Sequence, residues 1–228
     1  QTNVAVKNRN DLLLKNQTAV EPLLPKLEGE EVSPWVYDTA TNSAKRGTPI
    51  LRTFASWWKE RYVYVPDTSW YKDSDPKFEI HTVEEFYGFA ELAKTKTFAG
   101  QTITLCADIT LNEADVYRVA AWEEGNDLPV NVWTPIGKEA SPFAGTFDGQ
   151  GHTISGMYGV GYMESMGMFG SSQRGCVIKN FKLVNSYFKN NGDKGTGSIL
   201  ATGGGTIDTV YSDAIVVSHN RSTGGLQS

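Results

Sequence analysis

A short phrase, Gly-x-[Thr/Val]-Ile, recurs along the chain at intervals that indicate a stacked repeat. Its four copies contain Ile103, Ile154, Ile178 and Ile207. The last two intervals are in the twenties and the first is about twice as long, as repeats of short β-rich units produce. Another apolar side chain follows each isoleucine by three residues, at Cys106, Met157, Phe181 and Val210. We therefore predict two inward-facing stacks, one from each set.

Composition limits the class of protein. The 228 residues are 39% hydrophobic and 11% aromatic, enough for a sizeable core. The net charge is −5, and Lys45-Arg46 is the one pair of adjacent basic residues, so a nucleic-acid partner is disfavoured. No apolar run approaches the ~18 residues of a membrane span. Cys106 and Cys176 are interpreted as small buried side chains, and their spacing leaves a disulfide between them open.

The N-terminal third of the chain is rich in aromatic residues. Residues 1–32 are predicted to form an arm or a short helix, and residues 33–76 a separate aromatic segment that includes a strand at Tyr62–Val65. Two interpretations of this segment stay open. The rings cover the end of a solenoid, or some are exposed as a platform for sugars or a partner. The candidate binding residues are Trp57, Trp58, Tyr62, Tyr64, Trp70 and Tyr71.

A helix is predicted over residues 82–95, just before the repeats begin. Thr82 and Glu85 form a capping box. An apolar stripe follows at helical spacing, made of Val83, Phe86, Phe89, Ala90 and Ala93. Such a helix would cap the first repeat and protect its strand edge. Strands are predicted at residues 78–81, 102–105 and 107–111, whereas residues 112–132 are interpreted as an acidic insertion.

Three segments resemble the GLUG motif of bacterial secreted and surface proteins. The lead-in to that motif is similar to Trp133-Thr134-Pro135-Ile136-Gly137 and to the run from Gly145 to Gly156. The motif itself is similar to Gly167–Gly170, Gly197–Leu200 and Gly224–Leu226. The resemblance covers roughly residues 68–228 and implies a right-handed parallel β-helix in an exported protein. It carries no catalytic residues over to this chain.

The sequence thus predicts an all-β fold with a small α contribution: a right-handed parallel β-helix, or solenoid, over residues 77–228. A helical cap and the aromatic N-terminal subdomain precede it. Because Gly224-Gly225-Leu226 begins another repeat, we expect the solenoid to continue beyond Ser228.

The repeat register brings no group of acids or metal ligands together. Asp148 aligns with Ser172 and Ala201 in the following repeats, so no second acid is expected beside it, and its Asp-Gly-Gln-Gly setting indicates an Asx turn. Asp115, Glu123, Glu124 and Asp127 are interpreted as a solvated face. His81, His152 and His219 are far apart in sequence and match no metal motif. We predict no catalytic residue, no metal site and no cofactor.

The function predicted from these observations is a non-enzymatic module of an extracellular or cell-surface protein. It would act as a rigid spacer and adhesion surface toward glycans or a protein partner. Two alternatives stay open. One is a carbohydrate-active β-helix enzyme, a lyase or hydrolase, with its acids in the insertion or beyond Ser228. The other is a phage fibre-type receptor binder that trimerises through residues 11–24.

Overall fold

Short parallel strands make up most of the described structure. The computed structural model describes residues 63–126 and 128–219, with the backbone of three further strands at Trp35–Tyr37, Pro49–Leu51 and Thr223–Gly224. The chain divides into two units, residues 1–62 and residues 63–228. This division falls inside the aromatic segment 33–76. The helix predicted in residues 1–32 lies outside the described residues.

In the first unit, β1 (Trp35–Tyr37) pairs with β2 (Pro49–Leu51) in antiparallel fashion. The early strands of the second unit are β3 (Lys77–Ile80), β4 (Thr102–Leu105), β5 (Ile109–Thr110), β6 (Thr146–Asp148), β7 (Thr153–Ser155), β8 (Tyr158–Gly161) and β9 (Phe169–Ser171). The later strands are β10 (Val177–Val184), β11 (Tyr187–Asn190), β12 (Thr196–Gly197), β13 (Leu200–Thr202), β14 (Thr206–Ser212), β15 (Ile215–Ser218) and β16 (Thr223–Gly224).

The strand pairings of the second unit are parallel. The largest sheet runs in the order β3-β4-β6-β10-β7-β5, and β14 also pairs with β10. A second sheet has the order β8-β11-β15, and two further pairs are β9-β13 and β12-β16. Together with two helices in the described residues, this confirms an all-β chain with a small α contribution.

One column of apolar side chains runs through the largest sheet. Aligned pairing connects Phe78, Ile103, Phe147, Ile178 and Ile207. Because successive side chains of a strand point to opposite faces, their alignment places all five on the same face. The first four are buried. The predicted pairing of Ile178 with Ile207, and of Phe181 with Val210, is confirmed.

The predicted position of Ile154 in this column is wrong. Phe147 occupies it, and Ile154 instead pairs with Leu183 and Ile109. The cause is that this copy of the phrase leads into β7, which pairs with the second half of β10, whereas Ile178 lies in the first half, opposite β6. A turn at residues 149–152 separates β6 from β7. Gln150 and Gly151 have positive φ angles of 52° and 85° in this turn. Ile154 therefore lies five ladder positions beyond Ile178, with Leu183 as its partner.

Cys106 also departs from its predicted inward position. Ile103 and Leu105 are fully buried on β4, and Cys106, the next residue, is only partly buried. Cys176 is buried as predicted, and both thiols are free. The register of β4 thus turns Leu105, not Cys106, toward the core.

The predicted helix forms as α1 (Val83–Leu92), and its capping box is present. Phe86 and Phe89 pack on Phe147, and Phe86 also stacks on Trp133 at a centroid distance of 5.1 Å. The helix therefore adds its apolar stripe directly to the core of the sheet.

A second helix, α2 (Val116–Glu123), forms in the acidic insertion, where the sequence predicted none. Asp115 caps it by accepting the backbone N–H groups of Tyr117 and Arg118. Trp122 then packs edge-on against Tyr158 in a separate small cluster. Asp127 lies outside the described residues. The insertion thus carries its own apolar contact to the β8-β11-β15 sheet.

Two further expectations concern single segments. Residues 63–65 are not in a strand, so the described part of the predicted strand Tyr62–Val65 is wrong. The strand predicted at residues 78–81 is confirmed as β3.

In the described ranges, no helix has both the length and the apolar character needed to cross a bilayer.

Candidate functional site

A groove lies where the start of the second unit runs beside helix α1. It has a volume of about 280 Å³. Its lining is Val63, Tyr64, Pro66, Tyr87, Ala90, Glu91, Val130, Asn131, Val132 and Thr134. These residues come from three separate stretches of chain. The volume is just under the roughly 300 Å³ at which small-molecule pockets begin, so it suits one ring or one side chain.

The segment 63–67 is held against α1 by close backbone contact. The Asp67 N–H donates to the Glu84 carbonyl at 2.9 Å. Gly88 makes this approach possible, because a Cβ at that position would lie 1.8 Å from the Asp67 carbonyl oxygen. The helix sequence therefore contains a glycine where the chain passes directly over it.

Asn131 connects the other side of the groove to the same segment. Its Oδ1 accepts the Tyr64 N–H at 3.1 Å, and its Nδ2 donates to the Leu111 carbonyl at 3.3 Å. Asn112 in turn donates to the Asn131 carbonyl at 2.9 Å. Asn131 is buried, so these bonds satisfy a polar side chain that would otherwise be costly to bury. The groove walls are thus fixed relative to one another.

Two tyrosine rings dominate the groove. Tyr64 stacks on Tyr87 with centroids 6.0 Å apart, and Tyr87 also contacts Trp133 at 5.8 Å. The Tyr87 hydroxyl is buried and has no hydrogen-bond partner in the described part of the chain. Burial, with a smaller contribution from Tyr64, raises the pKa of the Tyr87 phenol. A neutral phenol with an unpaired hydroxyl beside a groove is a group that a ligand could satisfy.

The aromatic residues predicted as a binding set have different surroundings. Trp57, Trp58 and Tyr62 lie outside the described residues. Tyr64 lies in the groove. Trp70 and Tyr71 are instead half-buried against Phe78, with centroid distances of 5.4 and 5.0 Å.

Trp70 and Tyr71 are held by hydrogen bonds as well as by packing. The Trp70 Nε1 donates to the Asp67 carbonyl at 2.8 Å, and the Tyr71 hydroxyl donates to Asp73 at 2.9 Å. Burial, reinforced by Asp73, raises the pKa of the Tyr71 phenol. Within the described residues, Trp70 and Tyr71 therefore extend the core around Phe78. Of the predicted binding residues described, Tyr64 is the one that lines the groove.

Sequence reasoning missed Tyr87, Asn131 and Thr134. Tyr87 lies in α1 beside Phe86, a member of the predicted apolar stripe, so a pattern search for core positions passes over it. Asn131 is in a segment interpreted as part of an acidic insertion. Its role depends on contacts with residues 64 and 111, which no local pattern reveals.

Asp148, the acid considered for catalysis, is bound from three sides. Lys179 Nζ lies 3.2 Å from one oxygen, while Asn180 Nδ2 and the Gln150 N–H donate to the other at 3.0 and 3.1 Å. Burial acts to raise the pKa of Asp148, but these donors outweigh it and leave the pKa below its ordinary value. The Asx turn is confirmed. The strand neighbours of Asp148 are Thr104 and Lys179, not Ser172 as the repeat alignment predicted.

His152 is a second polar group with a partner. Its Nδ1 lies 3.1 Å from Asp108 Oδ1, and the same oxygen accepts the Thr153 N–H at 2.9 Å. The carboxylate of Asp108 thus connects the turn before β7 to the start of β5. The hydrogen bond from the Thr153 N–H, and to a lesser extent the one with His152, lowers the pKa of Asp108. These bonds give His152 and Asp108 a structural role at the turn.

Comparison with family models, with curated proteins and with solved structures found no match.

Proposed function

We propose that this chain is a non-enzymatic, right-handed parallel β-helix module of the GLUG type, part of an exported or cell-surface protein. In this proposal it holds a rigid surface and binds glycans through the groove at Tyr64 and Tyr87. The observation that carries the proposal is the groove itself, where a stacked tyrosine pair lies beside polar side chains.

Recurrent strand pairing supports the β-helix. Strands β6, β10 and β14 are consecutive neighbours in one ladder, and β8, β11 and β15 are neighbours in a second. A third ladder joins β9 to β13. In each ladder the chain returns to the same place after one repeat and pairs in parallel, as expected for stacked turns of a solenoid.

The chemistry of the groove supports a sugar ligand. Aromatic faces bind the apolar C–H faces of sugar rings, and nearby polar groups orient the hydroxyls. Tyr64 supplies a partly exposed ring, while Thr134 and Glu91 supply a hydroxyl and a carboxylate at the rim. A single ring in a shallow groove gives weak binding, so useful adhesion requires several copies acting together.

The setting of Asp148 supports a binding rather than a catalytic module. Glycoside hydrolysis uses two carboxyl groups about 5–10 Å apart on either side of the sugar. The strand neighbours of Asp148 are a threonine and a lysine, and its oxygens are already bonded. Release of reducing ends or unsaturated uronates from a polysaccharide panel would overturn this part of the proposal.

The experiment is a glycan array followed by titration of any hit. Tyr64→Ala should weaken binding about tenfold, since loss of one stacking contact costs on the order of 1 kcal/mol. Tyr117→Ala is the matched control, because Tyr117 is 83% exposed on α2 and does not line the groove. Equal affinities of the Tyr64→Ala protein and the parent would exclude the groove as the glycan site.

A protein partner is the second candidate, and the groove rim favours it. Val63, Val130 and Val132 are exposed there, and Val132 keeps 51% of its surface in contact with solvent. Exposed aliphatic side chains around a pocket are typical of protein contacts. A partner captured by the parent chain should be lost with Val132→Glu and kept with Val116→Glu, which introduces the same charge on α2.

A further inference from the structure

Three metal-ligating side chains converge at the edge of strands β3 and β4. They are Glu79, His81 and Cys106, and their ligand atoms all lie within 4.8 Å of one another. The His81 Nε2 and Glu79 Oε2 are 3.3 Å apart. Glu79 and His81 are exposed and Cys106 is half-buried, so the cluster is accessible from solvent.

The strand register explains this convergence. Phe78 and Ile80 are buried, so Glu79 and His81, which alternate with them, share the outer face. Strand β4 pairs in parallel with β3 so that Leu105 lies beside Ile80, and the Cys106 N–H donates to the Ile80 carbonyl at 2.8 Å. Cys106 is therefore placed next to His81, although the two are distant in sequence.

We propose that Glu79, His81 and Cys106 bind Zn²⁺. A carboxylate, an imidazole and a thiolate are all ligands that zinc accepts, and the thiolate and imidazole disfavour Mg²⁺ and Ca²⁺, which prefer oxygen. The carboxylate and thiolate together neutralise the charge of the ion. With three protein ligands, a tetrahedral ion keeps its fourth position for water or for a group from a partner.

The separations fit a tetrahedral ion with small side-chain movements. Zinc bonds of about 2.0 Å to nitrogen and oxygen and 2.3 Å to sulfur place nitrogen and oxygen about 3.3 Å apart, and nitrogen and sulfur about 3.6 Å apart. The first value equals the observed separation of 3.3 Å between His81 and Glu79. The sulfur, at most 4.8 Å from the other ligand atoms, needs to approach by about 1.2 Å at most, within reach of rotations of the exposed side chains.

The backbone around the three ligands is already fixed. The carboxylate of Glu85 accepts the His81 N–H at 2.6 Å and the Thr82 N–H at 3.1 Å, so the capping box of α1 also orients the histidine. Cys106 is held by its ladder bond to Ile80. Bound Zn²⁺ would therefore cross-link β3 to β4, independently of the groove and of its proposed function.

The first test is calorimetric titration of the whole chain with Zn²⁺. One equivalent should bind, and His81→Gln or Cys106→Ser should weaken binding by more than the roughly 10- to 100-fold that loss of an outer-shell partner costs. Glu79→Gln should weaken it less. His219→Gln and Glu113→Gln change the same residue types at exposed positions away from the cluster, and both should bind like the parent.

The second test measures whether zinc protects the Cys106 thiol. Alkylation of Cys106 by iodoacetamide should be slowed by Zn²⁺, as measured by peptide mass spectrometry, while Cys176, which is 1% exposed, should stay unmodified with or without zinc. The protection should disappear in His81→Gln. An unchanged alkylation rate of Cys106 at saturating Zn²⁺, or unaltered affinity in His81→Gln, would overturn the proposal and indicate adventitious binding only.

Discussion

The apolar column of the largest sheet, which runs from Phe78 on β3 to Ile207 on β14, is covered differently at its two ends. At the β3 end, Ile80 is fully buried, and Phe78 is buried against Trp70 and Tyr71. At the β14 end, Ile207 and Val210 are only partly buried. The strands at both ends pair in parallel and contribute apolar side chains to the column. The difference lies in which side chains pack against the terminal strand at each end.

This contrast shows that the parallel ladder does not bury its own end. The central members of the column are covered by strands on both sides, whereas a terminal strand needs a separate element. Trp70 and Tyr71 supply this cover on Phe78, and helix α1 adds Phe86 and Phe89 to the neighbouring core, where both are fully buried. In the described residues, β14 pairs with β10 and with no other strand. We therefore expect substitutions to be costly near β3 and mild near β14.

The largest expected difference compares the same substitution at two points of the column. Ile103→Ala should lower the free energy of unfolding by about 2–5 kcal/mol, because Ile103 is fully buried and the cavity cannot collapse. Ile207→Ala should cost about 1 kcal/mol, since its side chain already contacts solvent. Urea denaturation of both variants measures the contrast. Equal losses would mean that the β14 end is as well covered as the β3 end.

Local signals account for the parts of the fold that the sequence predicts well. The Thr82–Glu85 capping box and the apolar stripe lie within one helix, so α1 could be read directly. The register of β10 and β14 follows from two copies of the phrase with no insertion between them. Ile154 could not be placed in the same way, because its copy of the phrase leads into β7, which pairs with the second half of β10.

Non-local contacts account for what the sequence does not predict. Helix α2 is stabilised by Trp122 packing on Tyr158, and an acidic, polar segment gives no sign of such a partner. The groove joins Tyr64, Tyr87 and Asn131, which have no common pattern. The Glu79–His81–Cys106 cluster depends on the register between β3 and β4, which places a residue expected inside the core on the outer face.

The second prediction tests the outer face of the same sheet. Asp148→Ala should cost about 2 kcal/mol at pH 7, because Asp148 is largely buried and accepts two hydrogen bonds beside Lys179. Asp208→Ala is the control at the β14 end. Its carboxylate is exposed and bonded only to Thr209 among the contacts described, so a change within about 0.5 kcal/mol is expected.

The pH dependence of the Asp148 effect has a definite sign. Donors outweigh burial and lower the pKa of Asp148 in the folded protein from its ordinary 3.8. The ionised form therefore stabilises the fold above that value, and the stabilisation is lost as pH falls through the lowered pKa. Urea curves should show a constant gap between parent and variant from pH 7 to about 5, narrowing below about pH 4. A gap that widens in acid would contradict the assignment.

The third prediction compares the removal of one hydroxyl just after β3, at Thr82, with the removal of one at the end of β14, at Ser212. Thr82→Ala should destabilise the protein by about 1 kcal/mol, because the Thr82 hydroxyl accepts the Glu85 N–H at the start of α1. Thr82→Ser should restore most of the loss. Ser212→Ala removes a hydroxyl that accepts the Ala214 N–H after β14, and its cost should stay below about 0.5 kcal/mol. Thermal melts of the three variants distinguish these values, and a larger loss at Ser212 would reverse the comparison.

The smallest expected effect concerns Tyr87, whose buried hydroxyl has no hydrogen-bond partner in the described structure. Tyr87→Phe removes a hydroxyl whose burial without a hydrogen bond costs about 1–3 kcal/mol, but it leaves a small void. The net result should be a stabilisation of at most about 1 kcal/mol. Tyr211→Phe, at an exposed ring on β14, should change nothing measurable.

The same variant separates two ways in which the groove could hold a sugar. If Tyr64 binds by stacking alone, Tyr87→Phe keeps the glycan affinity of the parent. If the ligand displaces Tyr64 and bonds the buried hydroxyl, affinity falls about tenfold while stability rises, since one hydrogen bond is worth about 1 kcal/mol. A Tyr87→Phe protein destabilised by more than about 1 kcal/mol would show instead that this hydroxyl is already hydrogen-bonded in the folded chain. The Tyr87 hydroxyl would then not be free to bond a ligand in the groove.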